Sequence, residues 1–169
     1  ERMTAFASLL GNPQLSFPVI HVAGTNGKGS VCSMLDAVYR ENGYSVGLFS
    51  SPHLIELGER IRVNGIKLSS SEIEDLVDEL RPVAERMDSG KPGFHPTFFE
   101  FMTAMAFLKF RESGVDLAVV ETGLGGRLDS TNVVDPELSL ITTIAKDHCS
   151  ILGNEIESIA EEKAGIVKD

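Results

Sequence analysis

Residues 21–30 read H-V-A-G-T-N-G-K-G-S, and few folds can accommodate such a segment. An apolar strand (Val19, Ile20, Val22) precedes three glycines and a lysine, and a helical run begins at Val31. Glycine lets the backbone approach a ligand and turn its N–H groups inward, while the following helix start adds partial positive charge. Lys28 supplies the point charge that such loops use on the outer phosphates of a nucleotide. The segment reads as a phosphate cradle, for ATP. The common form is G-x-x-x-x-G-K followed by Ser or Thr, whose hydroxyl holds Mg²⁺. Here Val22 stands in the first glycine slot, Gly29 in the hydroxyl slot, and Ser30 comes one residue late. A glycine-rich turn with a surface lysine is the bland alternative, yet strand, loop, lysine and helix come in the order the mechanism needs. The departure predicts a second source of metal ligands.

A length of 169 residues is one domain's worth of chain, with an ordinary globular composition of 42% apolar and 24% charged residues. Fifteen basic against 25 acidic residues give a net charge of −10, which argues against nucleic-acid or anionic-membrane partners. Cys32 and Cys149 make neither a disulfide framework nor a metal spacing, so a reduced, cytoplasmic setting is expected. The most apolar stretch, Phe98 to Phe110, is broken by Glu100 and Lys109 and is too short to span a bilayer. The chain opens at Glu1 inside a short helical pattern (Met3, Phe6, Leu9, Leu10) and stops at Asp169. The expectation is a piece of a longer protein.

Val31, Met34, Leu35 and Val38 share one helical face, predicting a helix that ends near Asn42-Gly43. Val46 to Phe49 reads as a strand running into Ser50-Ser51-Pro52-His53, and residues 60–68 around Asn64-Gly65 as a hairpin. Ser71 with Glu74 suggests a capping box for a helix with Ile73, Leu76, Val77 and Leu80 inside. After a loop at Lys91-Pro92-Gly93, residues 97–112 form a helix apolar nearly all round, hence buried. Leu117 to Val120, ending in Glu121, and Leu138 to Ile144, ending near Lys146-Asp147-His148, read as strands buried on both faces. The expected fold is α/β, a three-layer, mostly parallel sheet of P-loop type with a small β-hairpin.

Open α/β sheets bind ligands beyond the carboxyl ends of their strands. That rule gathers the phosphate loop, Ser50 and Ser51, Glu121, and Asp147 with His148 at one edge. Glu121 stands where nucleotide-binding proteins often keep a carboxylate for Mg²⁺, although a strand-end carboxylate can also simply face water. A lone histidine is more often structural, and Ser-Pro often just starts a turn; the shared edge is what joins them. Residues 121–132, E-T-G-L-G-G-R-L-D-S-T-N, do not make a dinucleotide fingerprint, since Leu128 takes the third glycine position and no clear helix follows. The glycines are expected to let substrate approach the metal. Ile156, Ile159, Ala160 and Lys163 share one helical face, so Lys163 is either a costly buried ammonium or a side chain that snorkels near the helix end.

Together these segments resemble the folylpolyglutamate synthase/dihydrofolate synthase family, relatives of the Mur ligases. The carrying motifs are H-V-A-G-T-N-G-K-G-S (21–30), S-S-P-H-L (50–54), G-E-R-I-R-V (58–63), residues 121–132, D-H (147–148) and E-K-A-G-I (162–166). The resemblance implies a partial N-terminal ATP-binding, Mur-ligase-like domain over 1–169, the glutamate-binding C-terminal domain lying outside this chain. It implies a monomeric, ATP- and Mg²⁺-dependent ligase that joins L-glutamate to folate or dihydropteroate through an acyl phosphate. Thr25, Asn26, Gly27, Lys28, Gly29 and Ser30 would hold ATP, and Ser51, Glu121 and His148 would ligate Mg²⁺. Thr97, Phe98, Phe99, Glu100, Leu128, Asp129 and Ser130 would form the pterin pocket, with Phe99 stacking on the ring or serving as core. Lys163 matches a lysine the family carries as a carbamate, and the stretch after Ser51 resembles a mobile loop closing over folate. A ligase acting on a cell-wall precursor and a non-catalytic nucleotide-binding module are the alternatives; the 169 residues alone are expected to be inactive.

Overall fold

In chain order the strands are β1 (Val19–Ala23), β2 (Val46–Phe49), β3 (Ile61–Val63), β4 (Ile66–Lys67), β5 (Leu117–Glu121) and β6 (Leu138–Ile141). The helices are α1 (Arg2–Leu9), α2 (Lys28–Glu41), α3 (Ser70–Gly90), α4 (Phe98–Ser113), α5 (Cys149–Leu152) and α6 (Ile156–Ala164). This computed structural model describes residues 1–153 and 155–168; the Cys149 side chain, and the reading of that cysteine, lie outside the described residues.

The sheet order is β4-β3-β2-β5-β1-β6. β2, β5, β1 and β6 run parallel, and the hairpin β3–β4 adds antiparallel to β2. β1 and β5 are interior strands, and every residue in them is buried, the polar His21 and Glu121 included. Asn64 and Gly65 both take positive φ (52° and 79°), the requirement of a two-residue hairpin turn that matches strand twist. On one face α4 buries Phe107, Leu108 and Phe110 in a core shared with α1 and α3; on the other, α2 covers Ile20, Val22, Leu48 and Val119. The α/β, mostly parallel reading holds.

Four local expectations need correction. Helix α2 begins at Lys28 rather than Val31, with Gly27 (φ 83°) as its N-cap. Its buried face is also rotated: Cys32 and Asp36 are 0% and 4% exposed, whereas Met34 and Val38 are 66% and 58% exposed. Asp36 tolerates that position because it accepts from Arg40 Nε at 3.0 Å. The capping box of α3 is Ser69 with Glu72, one S-x-x-E pair earlier than Ser71 with Glu74. Finally, β6 ends at Ile141, where the Thr142 hydroxyl turns to donate to the Asn26 carbonyl at 2.8 Å, and it is only partly buried because it is an edge strand of the sheet.

Candidate active site

The carboxyl ends of four strands bring the distant polar groups to one rim. Lys28, Ser51, Arg60, Phe99, Asp129 and His148 line a cavity of about 470 Å³ there. Glu121, 4% exposed, does not itself line this cavity but joins it through Ser51, whose amide donates to Glu121 Oε2 at 3.0 Å. Burial raises the Glu121 pKa; the Ser51 amide and Lys28 pull it back only in part. A Cβ on Gly29 would lie 3.7 Å from Glu121 Oε2, so a side chain in the usual hydroxyl slot would point at this carboxylate. His148 is well exposed, with φ 49° and its own amide donating to Asp147 Oδ1 at 2.8 Å.

The phosphate loop is braced by the segment after β6. The Thr25 amide donates to the Thr143 carbonyl at 2.7 Å, and the Asn26 amide to Thr143 Oγ1 at 3.2 Å. Those two amides therefore face Thr143, while Lys28, Gly29 and Ser30 form the first turn of α2, whose amides have no acceptor within the helix. No acidic side chain occupies that turn. Gly24 cannot be replaced freely, since a Cβ there would sit 1.8 Å from Thr142 Oγ1. Its carbonyl accepts both Lys28 Nζ (3.0 Å) and Lys163 Nζ (2.9 Å). Lys163 is thus buried and paired rather than snorkelling. Burial lowers its pKa, Lys28 lowers it further, and Asp147 opposes them.

A second cavity, of about 490 Å³, shares Phe99, Leu124 and Asp129 with the first. Thr97, Glu100, Leu128 and Ser130 line it, and Phe98 lines neither cavity. Thr97 and Glu100 also form the capping box of α4, and Glu100 accepts Arg2 Nε at 2.7 Å. Phe99 packs on Phe49 at 5.7 Å while facing both cavities, so core and wall are one role for this ring. The Ser130 hydroxyl bonds Thr103 Oγ1 at 2.8 Å. Asp129 Oδ2 accepts the amides of Gly123 and Leu124 (2.9 and 2.8 Å), and Oδ1 accepts the amide and hydroxyl of Thr131 (3.0 and 2.6 Å). Because the Thr131 hydroxyl donates to Asp129, it accepts from His21 Nε2 at 2.8 Å, which leaves His21 Nδ1 buried without a partner among the described residues.

The glycines of this loop line the two cavities and also make room for close packing. A Cβ on Gly123 would meet the Phe99 ring at 2.5 Å, and one on Gly126 the carbonyls of Glu162 and Lys163 at 2.8 Å. Arg127 continues the seam, its amide donating to the Glu162 carbonyl at 2.8 Å and its guanidinium to the Glu162 carboxylate at 2.7 Å. The tip after Ser51 is tied as well: Glu59 accepts the amides of Leu54, Ile55 and Glu56. Sequence reasoning assigns no role to Arg60, His21 or Thr143, and reads Gly24 only as one of the cradle's three glycines. Only the T-x-x-E of residues 97–100 carried a readable signal that was overlooked.

A mostly parallel sheet with its polar groups at the strand carboxyl ends defines an α/β domain built to bind a ligand at that rim. Residues 22–169 match the family described as Mur ligase middle domain, and the chain belongs to that family. It is 52% identical over 169 residues to the dihydrofolate synthase/folylpolyglutamate synthase of Bacillus subtilis, covering 99% of this chain and 39% of that protein. The folylpolyglutamate synthase of Lacticaseibacillus casei is 41% identical over 168 residues, with 99% and 39% covered. Among solved structures, the folylpolyglutamate synthase of Thermotoga maritima aligns with a TM-score of 0.91 at 45% identity, covering 99% of this chain and 38% of that one. An FPGS–AMPPCP–folate complex aligns at 0.96 and 41% identity, with 99% and 41% covered. The chain therefore spans about two fifths of the length of these curated relatives.

Proposed function

We propose that this chain is the nucleotide-binding part of an ATP-dependent ligase that joins L-glutamate to the carboxylate of dihydropteroate or folate. The observation that carries the reading is the convergence of Lys28, Ser51 and His148 on one cavity, with the Ser51 amide bonded to the buried Glu121, beside a second cavity walled by Phe99. Relatives whose structures hold AMPPCP with folate lend it support. ATP phosphates would rest on the free first turn of α2, at Gly27, Lys28, Gly29 and Ser30, with Thr25 and Asn26 shaping the loop through Thr143. The Lys28 ammonium would leave the Gly24 and Thr25 carbonyls to meet the outer phosphates.

Magnesium fits the donor set. Glu121 is a buried carboxylate to which no cationic side chain bonds among the described residues, and Ser51 lies against it. Among the described residues no three His, Cys, Asp or Glu side chains form a cage. That suits an ion that keeps water and substrate phosphates as most of its ligands. Ser51, Glu121 and His148 would hold it, and it would neutralise charge on the phosphates during transfer.

In the reaction the substrate carboxylate oxygen attacks the γ-phosphorus of ATP and ADP leaves, giving an acyl phosphate. The amine of glutamate then attacks the acyl carbon, phosphate departs, and the amide loses a proton. The chain's own contribution is positioning and charge compensation rather than an acid–base pair. Thr97, Phe99, Glu100, Leu128, Asp129 and Ser130 would wall the pterin cavity. Lys163 is a candidate carbamate: burial and Lys28 favour its neutral amine, the form that adds carbon dioxide and sheds a proton. Carbon-13 NMR after labelled bicarbonate would reveal the modification. The reading is tested by ADP release in the full-length enzyme, which should require both a pteroyl substrate and glutamate; release without the amino acid would overturn it.

A further inference from the structure

Two cations face the rim cavity, and they are held differently. Lys28 belongs to the phosphate loop and bonds the carbonyls of Gly24 and Thr25. Arg60 lines the same cavity from the end of the turn Leu57–Arg60 that leads into β3. Its Nε donates to His53 Nδ1 at 2.8 Å, and its guanidinium lies 5.5 Å from the centroid of the Phe98 ring. The arm is therefore pinned at two points. Among the described residues neither terminal nitrogen donates to a protein acceptor, and no carboxylate pairs with it. The adjacent acid, Glu59, is already taken by three backbone amides. A braced guanidinium with its outer N–H groups free is a fork shaped for a carboxylate or phosphoryl group.

The placement narrows the choice between those anions. Phosphates have their own receptor at the α2 turn, whereas Arg60 shares its cavity with Phe99, Leu124 and Asp129, the residues that also wall the second cavity. A ligand with a planar ring in the second cavity would pass its far end between these residues toward Arg60. We propose that Arg60, aimed by His53, anchors the carboxylate of the pteroyl substrate and so selects pterins that carry an anionic end over neutral ones. The proposal rests on the ligase reading and adds to it the residue that recognises the reacting group. His53 is a positioning residue, acting only through Arg60.

The experiment compares, in the full-length enzyme, dissociation constants for pteroate and for 6-hydroxymethylpterin, which lacks the carboxylate, by fluorescence. Arg60→Gln should weaken pteroate by about 10- to 100-fold and leave 6-hydroxymethylpterin and ATP unchanged. Arg60→Lys should fall between, keeping the charge without the fork. His53→Ala should weaken pteroate alone, by a smaller factor, and His53→Gln, which retains an acceptor, should recover part of it. Unchanged pteroate binding in Arg60→Gln, or an equal loss for both pterins, would overturn the proposal. Wild-type enzyme that binds pteroate but releases no ADP would overturn the ligase reading instead, and the pair of pterins would still decide Arg60. If the wild type binds neither pterin, both fall.

Discussion

Residues 24–30 leave β1 and residues 122–129 leave β5, its neighbour in the sheet, and both loops are rich in glycine. In the second loop the amides of Gly123 and Leu124 close on Asp129, six residues downstream of Gly123, and the turn is complete in itself. In the first, no side chain caps α2 and no acid lies in its opening turn, so the amides of Lys28, Gly29 and Ser30 have no acceptor from the helix or from that turn's side chains. Glycines serve different ends in the two. Gly27 supplies a left-handed N-cap (φ 83°), while Gly123 and Gly126 make room for a ring and for the backbone of α6. Like compositions thus yield one receptor and one wall, divided by whether the chain carries its own carboxylate.

The largest effect should come from the receptor side. Glu121→Gln is expected to cut turnover of the full-length enzyme by about 10³-fold, with the thermal midpoint unchanged or higher because a buried carboxylate of raised pKa becomes neutral. Near-normal ADP release would contradict its metal role. Asp129→Ala should do the reverse. Losing an acceptor of four hydrogen bonds should cost about 3 kcal/mol by urea unfolding, while nucleotide affinity stays within about 2-fold. An equal loss of nucleotide affinity would dissolve the distinction between the loops.

His21 links the two, being the β1 residue that reaches Thr131 and through it Asp129. Burial, aided by the charge of Lys168, holds its pKa down at about 3. The unfolded chain takes up that proton near the ordinary value of about 6.5, so the stabilisation is complete above that pH. It declines as the pH falls toward 3, by about 1.4 kcal/mol per unit. His21→Gln, which can still donate to Thr131, should flatten that slope in urea unfolding measured across this range; an unchanged slope would remove His21 from the account. Smallest should be Thr97→Ala, losing about 1 kcal/mol with the α4 cap, read as a modest fall in thermal midpoint.

What could be read from the chain alone follows the same division. The bounds of β2 and β5 were legible, because each is an unbroken run without charge that a polar residue closes, whereas β6 reads three residues too long. Phase was not. Ser69 with Glu72 and Ser71 with Glu74 both satisfy the capping pattern, and only tertiary register chooses the first. In α2, Met34 and Val38 fit the helical period as well as Cys32 and Asp36 do, and the sheet selects the second pair. Side-chain destinations were the least accessible. Nothing local marks Asp129 as the lock of its own loop, or Gly24 as the shared acceptor of Lys28 and Lys163. Arg60 lay inside a recognised motif, yet its free fork emerges only once His53 and Phe98 stand beside it.

The division between receptor and wall is tested most directly by a crystal structure of the full-length enzyme with a non-hydrolysable ATP analogue. The account predicts phosphate oxygens on the amides of Lys28, Gly29 and Ser30, with Lys28 Nζ swung off the Gly24 carbonyl and Asp129 still holding Gly123 and Leu124. Phosphates seated instead on the 123–126 amides, with Asp129 displaced, would contradict it.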